Sequence, residues 1–266
     1  MRSITVKRVH GLGNVIMLLP ALHHLVRRGV DVCLITRSEW IDALQELNAA
    51  IRFSDRDRDD ALDLDLATRD LVPREHRSKE FADILNVTDP IEPLRFAVPV
   101  SWSDPFTQWQ GAIGFAPEAG HPSRQWPAAY CEELASSLHN SPLVLLGTRE
   151  TPPLPCNLDT RGRLSLKEVF GLLSGLRLLI CFDSGMMHLG AGVGVPTICI
   201  FGGIDPKLRI HDNQNVVALQ STLECCPCNK RETCDGRYDC ITSVKPQDVL
   251  RVMSSQAGVR QVQAHV

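Results

Sequence analysis

The chain has 266 residues, 44% hydrophobic and 22% charged, enough for one large or two modest domains with a sizeable core. A formal net charge of −3 gives no global attraction to nucleic acid or to an anionic membrane. No apolar run is long enough for a membrane span, and the polar start Met1-Arg-Ser-Ile-Thr-Val-Lys-Arg-Val9 lacks the apolar stretch of a secretory signal. A cytoplasmic protein is therefore expected, with peripheral attachment to the inner face of a membrane left open.

In chain order, residues 4–9 read as a first strand and His10-Gly-Leu-Gly-Asn14 as a glycine-rich turn. Residues 15–28 have helical periodicity and end in Arg27-Arg28-Gly29, a basic last turn followed by a glycine stop. Residues 30–36 form a second strand, 41–47 a short helix and 51–54 a weaker third strand. This βαβαβ pattern opens a doubly wound parallel sheet. Residues 55–65 are acidic and arginine-rich and are expected to be exposed; residues 78–85 read as a helix. The proline-dotted stretch 90–105 reads as a linker, dividing the chain into 1–105 and 106–266. A second α/β pattern follows: strands at 112–115, 143–147, 178–182 and 196–201, and helices at 128–138, 166–173 and 247–255. Two α/β halves imply a cleft between them, a common place for ligands.

Four strand-end segments carry polar chemistry. His10-Gly-Leu-Gly-Asn14 starts like a dinucleotide fingerprint, but Ile16 takes the third glycine's place and the second strand ends in Thr36-Arg37 without an acid. A nicotinamide reading fails both checks. The loop from Phe115 to Pro127 carries His121, Ser123 and Arg124, the last suited to grip phosphate in a bidentate fork. Asp183-Ser184-Gly185 ends a buried strand where a helix begins, so free backbone N–H groups and the positive helix end face the crevice. A phosphate suits that position. His188 lies one turn further on, as a core histidine or a site residue. The fourth segment is Phe201-Gly-Gly-Ile-Asp-Pro206 on the same rim.

Ten cysteines are many for a cytoplasmic chain. Cys33, Cys131, Cys156, Cys181 and Cys199 read as small buried hydrophobes. The other five cluster. Cys225-x-x-Cys228 has metal-ligand spacing and Cys234-x5-Cys240 is looser, so Cys225, Cys228, Cys234 and Cys240 could hold a structural zinc or iron. A disulfide pair and unmodified thiols stay open. A zinc-knuckle nucleic-acid module is disfavoured by the net charge and by only 5% aromatic residues, and no nucleic-acid partner is expected.

Together these residues resemble glycosyltransferase family 9, the ADP-heptose:lipopolysaccharide heptosyltransferase family. The likeness runs from Gly13-Asn14-Val15-Ile16 through Leu19-Pro20-Ala21-Leu22, to Pro117 through Arg124-Gln-Trp-Pro127, to Leu145-Leu-Gly147, and to Asp159 through Gly162 and Ser165-Leu166. Its most specific part is Asp183-Ser-Gly-x-Met-His188 through Gly194-x-Pro196, Phe201-Gly202 and Asp205-Pro206, and the Cys225-x-x-Cys228 segment also fits.

The resemblance implies a GT-B fold, two Rossmann-like domains with parallel sheets facing a cleft. It implies inverting transfer of a sugar from a nucleotide diphosphate, ADP-heptose foremost, with no catalytic cofactor. Arg124 would contact the phosphates. Ser184, Gly185 and Met186 would give backbone amides to the diphosphate, Asp183 would hold the sugar, and His188 would belong to the donor site. A glycan or lipid-linked saccharide acceptor would enter past Gly13 and Asn14. One departure stands out: the family's general-base aspartate is Asn14 here. An amide cannot take the acceptor's proton, and general-base help is worth about 10²–10⁴-fold. His10 and His121 are the candidate replacements. The other open outcome is a relative that binds nucleotide sugar without turnover.

Overall fold

Two parallel sheets organise the chain in its computed structural model, which describes residues 2–72, 74–148, 152–229, 234–255 and 264–265. The first half runs β1 (Ser3–Lys7), α1 (Leu12–Arg27), β2 (Asp31–Ile35), α2 (Ser38–Leu47), β3 (Arg52–Ser54), β4 (Leu62–Asp63), α3 (Leu64–Ala67) and α4 (Arg77–Ile84). The second runs α5 (Val100–Ser103), β5 (Ile113–Ala116), α6 (Ala128–Ser137), β6 (Leu143–Leu145), β7 (Leu158–Asp159), α7 (Leu166–Gly175), β8 (Leu178–Phe182), α8 (Gly185–Val193), β9 (Thr197–Phe201), β10 (Val216–Gln220), α9 (Asp239–Ser243), α10 (Pro246–Ser255) and β11 (Ala264–His265).

The strand orders are β3-β2-β1-β4 and β11-β10-β9-β8-β5-β6-β7. Every pairing is parallel. Strands covered on both faces read as unbroken apolar runs rather than alternating ones. Accordingly, all five residues of β8 and all five of β9 are buried. Strand order reverses beside β1 in the first sheet and beside β5 in the second. Crevices open at such switch points, outside the carboxyl ends of the strands. The turn after β1 and the segment after β4 therefore meet at one rim. The loops after β5 and β8 meet at the other.

The halves share one hydrophobic core, in which Leu18 and Leu22 of α1 join Leu179 of β8 and Met187 of α8. Helices α1 and α8 pack directly. Gly13 makes this possible, because a Cβ there would come within 2.5 Å of the His188 ring. A polar chain adds to the junction: His76 Nδ1 lies 2.5 Å from Ser78 Oγ, which lies 3.0 Å from His211 Nε2.

Four features depart from the sequence reading. Helix α1 starts at Leu12, because Gly11 at φ 78 turns the chain and its carbonyl accepts the Asn14 amide at 2.9 Å. Asn14 thus stands in the first helical turn, not before it. Residues 55–65 are not wholly a solvent loop: β4 extends the first sheet, Leu64 is fully buried and Asp65 turns inward. Strand β10, fully buried, was not anticipated. Within the proline-dotted stretch, residues 90–99 carry no helix or strand. From Val100 the chain already packs against α7, where Ser103 Oγ lies 2.8 Å from Ser174 Oγ.

Candidate active site

A cavity of about 800 Å³ lies between the two switch-point rims, within the range of small-molecule sites. Among the described residues Arg8, Arg69, Arg77, Arg124 and Arg209 line it, with Asp65 and Asp183 as the lining carboxylates and Glu80 2.8 Å from Arg77. This arginine-rich lining in a partly enclosed space favours a polyanionic ligand.

The second sheet supplies one wall. Arg124 ends the turn Pro122–Arg124. Its Nη1 donates to the Asp183 carbonyl at 3.0 Å and lies 3.5 Å from Asp183 Oδ2. Asp183 is 2% exposed. Asp183 Oδ2 and Ser184 Oγ are both buried without a hydrogen-bond partner. Ser184 sits at the N-cap of α8, yet its side chain caps nothing. Leaving a buried polar group unsatisfied costs about 1–3 kcal/mol, so this wall keeps polar capacity in reserve at the end of a helix with unbonded N–H groups. Gly185 lines the cavity, whereas Met186 lies outside its lining. His188 is 5% exposed. Burial, and then the nearby Arg209, push its imidazole down to about 3, so it is neutral.

His121 stands at the mouth of this wall. Its Nδ1 accepts the Ser123 backbone N–H at 3.2 Å. Nδ1 also lies 2.8 Å from Ser123 Oγ, and while Nδ1 accepts the amide the ring proton is left to Nε2.

The first sheet supplies the other wall. Asn14 folds back, its Nδ2 donating to the His10 carbonyl at 3.4 Å. Gly13 and Asn14 both line the cavity, and Gly13 is also wedged against His188. Asp65, just after β4, accepts the Val9 N–H at 2.7 Å and the His10 N–H at 3.2 Å. It also pairs with Arg8 at 3.2 Å. Arg8 is 6% exposed and Arg77 5%; burial lowers both guanidinium pKa values. The sequence reading missed Asp65, Arg8, Arg77 and Arg209. Arg8, two residues before the glycine turn, carried the one local signal. The others reach the site only through tertiary structure.

The cysteines gather near the cavity, but not in the expected set. Cys228, Cys234 and Cys240 line it, whereas Cys225 is exposed. Cys226, not Cys225, stands beside Cys240 and lowers that thiol's pKa. Among the described residues no group of three or more His, Cys, Asp or Glu converges to hold a metal ion.

The model of glycosyltransferase family 9 (heptosyltransferase) matches residues 101–238. The chain belongs to this family. Lipopolysaccharide heptosyltransferase 1 of Pseudomonas aeruginosa is 32% identical over 122 residues, which is 42% of this chain and 34% of that protein. Lipopolysaccharide heptosyltransferase 2 of Salmonella typhimurium is 23% identical over 159 residues, 54% of this chain and 46% of that protein. The matches thus span about a third to a half of these relatives. Among solved structures, the iron-containing dodecameric glycosyltransferase TibC of enterotoxigenic E. coli H10407 superposes with a TM-score of 0.79 at 16% identity, over 98% of this chain and 80% of that one. ADP-heptose lps heptosyltransferase II of E. coli gives 0.69 at 14% identity, over 96% and 98%. These likenesses establish the GT-B fold that the family-9 motifs imply. Among the described residues no helix is long and apolar enough to cross a membrane.

Proposed function

We propose that the chain transfers a heptose or related sugar, with inversion, from an ADP-linked donor to a hydroxyl of a glycan or lipid-linked saccharide at the cytoplasmic face of a membrane. The observation that carries this reading is the pair of orphaned buried oxygens, Asp183 Oδ2 and Ser184 Oγ, beside Arg124 at the start of α8. A sugar hydroxyl donating to Asp183 and a diphosphate lying between Ser184, the amides of Gly185 and Met186, and Arg124 would satisfy both oxygens. A TibC structure in complex with ADP-D-beta-D-heptose has the same fold, at a TM-score of 0.78 and 16% identity, and lends this donor chemistry support.

The chemistry follows from charge. As the sugar–phosphate bond breaks, negative charge grows on the leaving diphosphate. Pre-oriented N–H groups and the Arg124 guanidinium stabilise it there, which is usually the largest catalytic contribution. His121, with its donor Nε2, suits the same phosphates better than it suits a base. The acceptor would enter along the wall of Gly13 and Asn14. On this reading, residues 1–105 form the acceptor domain and 106–266 the donor domain.

Calorimetric titration with ADP tests the donor site. Loss of the Arg124 contact in Arg124→Ala is expected to weaken ADP about 10–100-fold, the equivalent of a charge-assisted hydrogen bond. Unchanged affinity would place the phosphates elsewhere. A second reading, binding without turnover, is favoured by Asn14, whose amide is engaged with the His10 carbonyl. It predicts ADP binding with no ADP release from ADP-heptose in the presence of lipopolysaccharide core fragments.

A further inference from the structure

The family resemblance would put a catalytic carboxylate where α1 carries Asn14, and a carboxylate does approach the same turn, from a different strand. Asp65 follows β4, and β4 pairs with β1 at the switch point of the first sheet. This topology brings Asp65 against the residues that follow β1. His10 Nδ1 lies 3.3 Å from Asp65 Oδ1, with the His10 side chain 75% exposed and Asp65 14% exposed. The imidazole can therefore reach a substrate while the carboxylate stands behind it. Two backbone amides and the buried Arg8 fix Asp65 in place. Arg8 is itself anchored by the Leu64 carbonyl at 2.9 Å and by Thr68 Oγ1 at 2.8 Å.

The other basic groups of the cavity are committed elsewhere. His121 uses Nδ1 to accept the Ser123 amide. His188 is buried beside Arg209 and Arg124, where a second cation would be repelled. Asp183 pairs with Arg124 on the opposite wall. His10 alone among the three histidines lining the cavity has a carboxylate at Nδ1. A carboxylate at this distance favours the ring proton on Nδ1, which would leave Nε2 as an acceptor, and it stabilises the imidazolium once formed.

We infer that a His10–Asp65 dyad replaces the missing aspartate as the general base of transfer. The inference rests on the transferase reading above. The acceptor oxygen attacks the anomeric carbon while its proton passes to His10 Nε2. The bond between that carbon and the diphosphate oxygen breaks, and its electron pair leaves with ADP. The imidazolium then returns the proton to solvent. His10 is the catalytic base and Asp65 the positioning residue. Asn14 is the brace of the turn, because its amide N–H donates to the His10 carbonyl, which a carboxylate at that position could not do.

The test measures transfer from ADP-heptose to lipopolysaccharide core fragments by the full chain. His10→Ala is expected to lower kcat about 10²-fold or more, with ADP affinity unchanged. Added imidazole should restore part of the rate, and so should Asn14→Asp in the His10→Ala background, by returning a carboxylate to the family position. Asp65→Asn alone strands the buried Arg8 charge, so it is combined with Arg8→Met. This double variant should lower kcat about tenfold or more without rescue by imidazole. It should also shift the His10 tautomer, read by ¹⁵N NMR, away from the Nδ1-protonated form. Transfer by the wild type that survives in His10→Ala, or a loss restored by neither imidazole nor Asn14→Asp, would overturn the dyad alone. A wild type that binds ADP but transfers nothing would overturn the transferase reading and the dyad with it.

Discussion

On the wall built by the second sheet, Asp183 Oδ2 and Ser184 Oγ are buried without a hydrogen-bond partner, Asp183 Oδ2 facing Arg124 Nη1 at 3.5 Å. On the wall built by the first, Asp65 already receives two backbone N–H groups and the Arg8 guanidinium. The first arrangement sacrifices stability so that a ligand can complete it. Around Asp65 the second needs no ligand and positions a neighbour instead, although Arg8 Nε and Arg77 Nε and Nη1 on the same wall are themselves buried without a hydrogen-bond partner. This contrast separates a wall that binds from a wall that holds a reactive group in place, and each half of it can be broken separately.

The largest effect is expected at the Asp65–Arg8 pair. Asp65→Asn leaves the Arg8 charge buried without its partner, which costs about 3–5 kcal/mol when a buried pair is broken. Urea denaturation would read this directly, and adding Arg8→Met should recover most of it. The junction between the walls should yield to acid. His76 and His188 are both pushed down to about 3, chiefly by burial, whereas an unfolded histidine titrates near 6.5. Their neutral burial costs nothing above pH ~6.5. Below it the unfolded chain binds the extra protons, so stability falls steadily until the native pKa near 3 is reached. The loss approaches about 1.4 kcal/mol per pH unit for each group, or about 3 kcal/mol for the two between pH 6.5 and 5. Denaturation at both pH values should show a steep fall, with His76→Gln removing roughly half of it.

A smaller effect is expected from Gly13→Ala. The added methyl would press on the His188 ring at 2.5 Å, and overpacking of this kind costs about 1–3 kcal/mol, visible as a lower Tm. The smallest concerns the binding wall. Ser184→Ala removes a hydroxyl that is unsatisfied in the empty protein, so stability should stay level or rise by up to about 1 kcal/mol while ADP binding weakens. A clear loss of stability would mean that the Ser184 hydroxyl already has a partner and that the contrast between the walls is false.

The same contrast explains what the sequence revealed. The binding wall was legible because it is local: a buried strand, three small or polar residues and a helix start are contiguous from Leu178 to His188, and Arg124 lies in one loop with a recognisable Trp-Pro exit. The boundaries of β8 fell where the apolar run predicts. The other wall is non-local. Asp65 comes 55 residues after His10, within a charge-rich stretch that reads as solvent loop, and only the parallel pairing of β4 with β1 brings it inward. Strand β10 was missed because its apolar run covers only Val216–Leu219 before Gln220 and no helix pattern directly flanks it. The thiols show the limit of spacing arguments. Cys225-x-x-Cys228 fits a ligand pair in sequence, yet the contact to Cys240 comes from Cys226.

The most direct test of the account is a thermal-shift series on the full chain with ADP, UDP, GDP and CMP and with ADP-heptose. A ligand that binds only the native state raises its melting temperature by mass action. A selective rise with ADP and ADP-heptose, lost in Arg124→Ala, is the predicted result. No rise with any nucleotide, or an equal rise that survives in Arg124→Ala, would contradict the assignment of the Arg124–Asp183–Ser184 wall as the donor site.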